Sequence, residues 1–423
     1  MNKRFLLKGV FAAALLSVGM LAGCTSNQGG GGEAAPDYTI KVWAAEAVKD
    51  LFQSQADAWA KNIKDEGGDN IKVTVQAVGE GDAASNMITD VEAGADLFCF
   101  AQDQLSRLRS AGALSEIIDT ATKTKVQTEN DAVSYQAACV GESLVAYPLT
   151  SDNGYFMYYD AELFQGHTEA LENMTDLIAF CKANNRTIYF DVTGSGWYNA
   201  AFFMAFGCES TWTTNTAGLF TGYTDTYNSA NGVKACKAMY ELIKEDTVFV
   251  SGSDGSKAFE NKAAVCVSGT WDSANVKTKL GNKFGATDLP SVTVGTETMH
   301  LGSFFGCKLL GVKPQTDAIK GAYVSNLAQY FSAKDAQLAR YQSHGWGPSN
   351  LEAQADPAVV ADVALTALRQ QNAYSTMQGQ YPDGWWTATT TLATNVQKSD
   401  GSDSAIRTIL ATYRASIDSY VNG

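Results

Sequence analysis

The chain has 423 residues, of which 45% are apolar, 11% aromatic and 18% charged, and 45 acids against 31 Lys and Arg give it a formal charge of −14. That length and apolar content can bury two or three domain cores and exclude a disordered or fibrous chain. Residues 1–23 hold Lys3, Arg4 and Lys8 and no acid, so the rest of the chain carries −17, a charge that excludes nucleic acid and basic-surface membrane contact and leaves neutral or cationic ligands.

Met1 to Lys8 is basic, and Val10 to Leu21 is an apolar run of 12 residues, too short to span a bilayer but the length of a secretory core. Leu21-Ala22-Gly23-Cys24 comes next, then Thr25 to Pro36 with four consecutive glycines. The expectation is a signal segment over 1–23, a Gly-rich flexible stretch over 24–36 that reaches roughly 40 Å when extended, and a body that begins at Asp37. An ordinary signal peptide ending near a Cys is the alternative.

From Asp37 two periods alternate. Tyr38 to Trp43 and Ile71 to Ala77 have period two, and Leu97 to Ala101 is a short apolar run; all three predict strands. Phe52, Ala56, Trp59 and Ile63 predict a helix between the first two, and Asp82 is a candidate N-cap before Met87, Ile88 and Val91. A β-α-β-α-β order means parallel strands with right-handed crossovers.

Farther on, Leu144 to Pro148, Gly154 to Tyr159, Ile188 to Val192 and Ala264 to Ser268 predict strands, and Val233, Cys236, Met239 and Ile243 a helix. From Lys320 the pattern is mostly helical, with breaks at Gly345-Trp346-Gly347-Pro348 and Tyr381-Pro382-Asp383-Gly384.

Ligands of open α/β sheets bind beyond the carboxyl ends of the strands. Glu46 follows the first strand and Asp103 the third; Trp197 follows Ile188–Val192, and Trp271 follows Ala264–Ser268. Carboxylates accept hydrogen bonds from hydroxyls, and an indole covers the C–H face of a pyranose, so the combination suits a sugar. The structural alternatives are core packing for each Trp and an N-cap before Leu105 and Leu108 for Asp103.

Sequence signatures of an enzyme are few. GxSxG, HExxH and a P-loop Gly-Lys are absent, and Gly194-Ser195-Gly196 lacks the third glycine of a dinucleotide loop. His167, His300 and His344 have no metal-ligand spacing and are expected in surface or hinge packing, so no metal or cofactor is expected. Paired carboxylates for glycoside hydrolysis remain open among so many acids, as does a glycan-binding adhesin. Beyond Cys24, seven cysteines, Cys99, Cys139, Cys181, Cys208, Cys236, Cys266 and Cys307, lack CxxC spacing and sit mostly in apolar runs. They are expected to be free, small buried hydrophobes, tolerable on an exported protein where oxidant is scarce, as in an anaerobic bacterium.

Leu21-Ala22-Gly23-Cys24 resembles the bacterial lipobox. With Ile40-Lys41-Val42-Trp43, Ala95-Asp96-Leu97-Phe98 running into Asp103-Gln104-Leu105, Ala111-Gly112-Ala113-Leu114, Ala146-Tyr147-Pro148, Tyr158-Tyr159-Asp160 and Ser268-Gly269-Thr270-Trp271, the chain resembles the extracellular solute-binding proteins of sugar ABC transporters, most of all their maltose/maltodextrin branch. The resemblance implies an α/β, two-lobed periplasmic-binding-protein-like fold of type II. The first lobe would be 37–149 plus 304–348 and the second 153–300 plus 349–423, with hinge crossings at 150–152 and 301–303.

It also implies a lipid anchor on Cys24, a place on the outer face of the membrane of a Gram-positive cell, permease subunits as partners, a monomer, and no catalysis. Trp197, Trp271 and Trp386 match positions where glucose rings stack, with Trp385 beside the last; Asp103 and Asp152 match polar sugar contacts. Phe100 stands where an indole is usual, and Glu46 lies near the first binding loop. The chain departs from the branch at Gln104, at Ala45-Glu46-Ala47 and at Ser195, where charged contacts are common. A linear α-glucan is the implied ligand and a different oligosaccharide the alternative.

Overall fold

Ile40, Val42 and Ala44 alternate with Lys41 and Trp43, and in the computed structural model, which describes residues 36–215 and 218–420, that period becomes the strand Tyr38–Ala44 with the first set buried. Ile71–Ala77 lies parallel to it, Tyr38 opposite Ile71, and Leu97–Ala101 runs parallel on its other side. The connecting helix Lys49–Asp65 turns Phe52, Ala56 and Trp59 inward, one apolar stripe at helical spacing. The β-α-β-α-β reading therefore holds. The signal segment, Cys24 and nearly all of the tether fall outside the described residues.

Two strands from farther along complete this sheet. Lys308–Val312 runs antiparallel to Leu97–Ala101, and Ala146–Pro148 runs antiparallel beyond it. A second five-stranded sheet has the order Phe249–Val250, Thr187–Tyr189, Ala263–Ser268, Phe156–Asp160, Phe284–Thr287. Its first three strands are parallel and its last two antiparallel to their neighbours. Helices flank both sheets, and each sheet has its own large apolar core. This is the expected α/β fold with two lobes.

The connections between the sheets lie side by side. Leu149 N–H and Thr150 N–H donate to the Lys308 carbonyl at 2.9 and 3.3 Å, Asn153 N–H donates to Gly306 O at 2.9 Å, and Ser151 N–H donates to Gly347 O at 3.1 Å. Ser303–Phe305 pairs in parallel with Ser375–Met377, a strand too short to leave a period in the sequence. His300, just before this crossing, stacks on Tyr374 at 3.5 Å between centroids, and its ring nitrogens lie 2.8 Å from Leu301 O and 3.2 Å from an Asp288 carboxylate oxygen. His167 is exposed and His344 is partly buried.

Two local expectations need correction. Asp82 stands at the N-cap of the helix Ala83–Thr89, but its side chain makes no capping bond. Gln104 takes that role from across the site: its Oε1 accepts from Ala84 N–H at 2.9 Å while its Nε2 donates to the carbonyls of Glu80 and Gly81. The break expected at Tyr381-Pro382-Asp383-Gly384 ends at Pro382, because Asp383 and Gly384 already form the first turn of the helix Asp383–Lys398. Glycine is accepted there because a β-carbon would strike the Tyr420 ring.

The seven cysteines within the described residues are all free; Cys139 is partly buried and the other six are buried. Burial pushes every one of these thiols up from its ordinary value, so they are poor nucleophiles. No helix among the described residues is long and apolar enough to cross a membrane.

Candidate functional site

A cavity of about 800 Å³ opens where both sheets present the carboxyl ends of their parallel strands. Ala45 and Ala47 follow Tyr38–Ala44; Glu80 and Gly81 follow Ile71–Ala77; Asp103 follows Leu97–Ala101; Trp197 and Trp271 follow strands of the second sheet; all line the cavity. Its volume lies within the range of small-molecule sites.

The helix Gly196–Ala205 begins at Ser195, whose hydroxyl accepts from Trp197 N–H at 3.3 Å, and this cap places the Trp197 indole at the mouth of the turn. Trp197 then donates from its indole to the Gln378 side-chain oxygen at 3.0 Å and packs edge-on against Tyr155 at 4.6 Å. Trp271 sits in a short 3-10 turn, with its centroid 5.7 Å from that of Trp197. Gly269 is required beside it, since any β-carbon there would lie inside the Trp271 ring. Trp386, on the helix Asp383–Lys398, lines the cavity with its ring 4.9 Å from Tyr381 and 6.0 Å from Phe304. All three indoles are half-buried.

Successive residues of a helix point about 100° apart, so only one of the adjacent pair can face the cavity. Trp386 does. Trp385 is fully buried in the core of the second sheet, where its indole donates to Tyr413 Oη at 3.0 Å.

Phe100 is likewise fully buried and is not part of the cavity wall. It shares a face of its strand with Phe98, 5.6 Å away between centroids, and both rings approach Gly311, whose missing side chain leaves them room. Period two puts residue 100 on the core face, whereas the backbone beyond Ala101 turns toward the cavity.

Asp103 lines the cavity at 8% exposure. Burial pushes its carboxyl up to about 7; the Arg107 guanidinium pulls the other way, and Asp383 adds to the rise. It does not cap the following helix, whose N-cap is Gln104 and lacks a side-chain bond. Arg107 instead pairs with Asp383 across the rim. Beside that pair Ser106 N–H donates to Gln380 Oε1 at 2.9 Å, and Gln380 Nε2 donates to Gln102 O at 2.7 Å, so the two walls touch directly here.

Asp152 is 2% exposed and lies behind the cavity wall. Its Oδ2 accepts from the Thr270 hydroxyl and from Gly347 N–H, both at 2.5 Å, tying the crossing segments to the turn that carries Trp271. Glu46 is exposed and paired with Lys49 at 3.3 Å; the cavity is lined by its neighbours Ala45 and Ala47 rather than by its side chain.

Several lining residues were missed as site residues in the sequence, among them Glu80, Arg107, Lys308, Trp346, Gln378 and Asp383. Glu80 stands three residues beyond a strand end, where the same rule finds it. Lys308 is the one charge in the apolar run Cys307–Val312. Arg107 stands four residues after Asp103 and Asp383 three residues before Trp386, so helical spacing puts each beside a named candidate; Trp346 and Gln378 arrive from other segments, and no local pattern brings them here. Among the described residues, no group of three or more His, Cys, Asp or Glu side chains is placed to hold a metal ion.

Residues 58–367 match the family model described as bacterial extracellular solute-binding protein. The chain belongs to that family. Solute capture, not catalysis, is therefore the activity of this extracellular solute-binding protein. No curated protein matches it. Among solved structures, one described as "with acarbose" is 23% identical with a TM-score of 0.77, covering 90% of this chain and 98% of its own. The maltodextrin binding protein MalE1 from L. casei BL23, without ligand, is 21% identical with a TM-score of 0.73 and coverages of 90% and 98%. The GacH receptor of Streptomyces glaucescens GLA.O, solved unliganded and with acarbose and an acarbose homolog, is 16% identical with a TM-score of 0.73 and coverages of 90% and 99%. At these identities the likeness is one of fold, and it extends over the whole body of the solute-binding protein.

Proposed function

We propose that this solute-binding protein captures a neutral oligosaccharide, first of all a linear α-glucan of maltodextrin type, and delivers it to an ABC permease. The observation that carries the reading is the meeting of three half-buried indoles, Trp197, Trp271 and Trp386, with the buried carboxyl of Asp103 around one cavity. Stacking faces and a hydroxyl acceptor are what a pyranose needs. The maltodextrin and acarbose named for the similar structures favour the same ligand class.

In this reading Trp197, Trp271 and Trp386 stack on sugar rings and Asp103 bonds a hydroxyl. Phe100 and Trp385 support the walls from the cores, Asp152 holds the hinge, and Glu46 flanks the entrance. The lobes are 37–149 plus 304–348 and 153–300 plus 349–423, with crossings at 150–152 and 301–303. Closure is favoured by the ligand because only the closed form lets both lobes touch it. Cys24 carries the acyl anchor, which with the tether keeps a monomeric receptor at the outer face of the membrane, in a Gram-positive anaerobe.

The deciding experiment incubates purified protein with maltotriose and a panel of other oligosaccharides while following tryptophan fluorescence and chain length. A fluorescence change without cleavage, together with compaction in small-angle scattering, is expected. Cleavage would assign a glycoside hydrolase, and affinity for polymer but not for short oligomers would assign an adhesin.

A further inference from the structure

Lys308 is a buried cation in a strand that is otherwise apolar, with its side chain 7% exposed. Its ammonium lies 3.6 Å from the centroid of the Trp346 ring and 5.7 Å from that of Trp271. Glu80 Oε1 is 3.9 Å away, a Coulombic contact too long for a hydrogen bond. Burying a charge is costly unless it is compensated. The Trp346 face and the Glu80 charge compensate it here, and neither consumes an N–H donor.

Three polar groups are thus held in place with bonds unmade. Lys308 keeps its donors, and both Glu80 Oε1 and Trp346 Nε1 are buried without a hydrogen-bond partner. All three residues line the cavity. Arg107, the other cation of the wall, is already paired with Asp383.

We propose that Lys308, Glu80 and Trp346 form a polar subsite on the first-sheet wall that binds a neutral sugar unit through its hydroxyls, with Lys308 determining specificity. The inference rests on the oligosaccharide reading and deepens it. A hydroxyl accepts and donates at once, so one oxygen about 2.8 Å from each group bridges the gap between ammonium and carboxylate. A sugar carboxylate would accept from Lys308 but has no proton for Glu80 and meets its charge. A sugar amine would satisfy Glu80 and be repelled by Lys308. The Trp346 ring fixes the lysine stem, so little side-chain freedom is left to lose on binding.

The test is calorimetric titration of the wild-type protein, Lys308→Met, Glu80→Gln and Trp197→Ala with maltotriose and with trigalacturonate, each protein first checked for a cooperative thermal transition. Wild type is expected to bind maltotriose on the order of tenfold tighter than trigalacturonate. Lys308→Met and Glu80→Gln should each weaken maltotriose by at least about fivefold, and Glu80→Gln should narrow the preference against the uronate. Glu80→Gln preserves shape and carries the test alone if Lys308→Met fails to fold. Wild type preferring trigalacturonate, or both variants holding maltotriose within about twofold of wild type while Trp197→Ala loses it, overturns the subsite and leaves the oligosaccharide reading standing. Wild type binding neither maltotriose nor any neutral oligosaccharide overturns that reading, and the subsite with it.

Discussion

The indole N–H of Trp197 donates to the side-chain oxygen of Gln378 at 3.0 Å, and the Gln378 carbonyl in turn accepts from Gln102 Nε2. A stacking residue on the second-sheet side is thereby connected, through one glutamine, to the end of a first-sheet strand. The ring plane of Trp197 is set by this bond as well as by its packing on Tyr155.

Trp197→Ala and Trp386→Ala are each expected to weaken oligosaccharide binding by roughly 1–3 kcal/mol, the range for removing an aromatic anchor. Trp197→Phe keeps a ring but loses the bond to Gln378, and should fall between wild type and Trp197→Ala. Calorimetry with maltotriose reads all three; unchanged affinity in both alanine variants would return these indoles to a packing role.

The neighbouring indoles should separate in a stability measurement. Trp385 fills the second core and bonds Tyr413, so Trp385→Ala should cost about 3–5 kcal/mol in urea unfolding. Trp386 is half-buried at the cavity, and Trp386→Ala should cost less stability while losing more affinity. The reverse order would contradict the orientation of this helix.

Asp152 is a test of the hinge. Removing its carboxylate leaves the Thr270 hydroxyl and Gly347 N–H without their buried acceptor, so Asp152→Ala should lose about 2–5 kcal/mol of unfolding free energy. A loss below about 1 kcal/mol would mean that the two crossing segments are held by other contacts.

Asp103 gives a pH dependence with a definite sign. Burial raises its folded value to about 7, above the unfolded carboxyl, so the native state binds the proton more tightly. Its contribution to stability is therefore greatest at low pH and declines as pH rises from about 4 to about 7, by no more than about 4 kcal/mol, then levels off. The difference in unfolding free energy between wild type and Asp103→Asn should fall across that window. A flat difference would show that the carboxyl is solvated.

Thiol reactivity tests the cysteine assignment. In protein beginning at Thr25, a thiol reagent should find seven thiols after unfolding and, in the native state, at most slow reaction at the partly buried Cys139. Fewer than about six on unfolding would mean that disulfides form.

Much of this protein is written in its local pattern. Period two in Ile40, Val42 and Ala44, helical spacing in Phe52, Ala56 and Trp59, and the short apolar runs at Leu97–Ala101 and Ala264–Ser268 mark strands and helices of both sheets, because burial on one face imposes the period of the backbone. Once strands are parallel, the residues beyond their carboxyl ends are fixed as site candidates, and Asp103, Trp197 and Trp271 were legible on that ground. Tertiary structure alone decided which side chains face the cavity and which partners they have. Phe100 and Trp385 sit one step of strand or helix away from it, a difference set by how each element packs. Lys308, Trp346 and Gln378 reach it only because segments far apart in sequence meet there, and contacts of that kind depend on packing in space that no local period records.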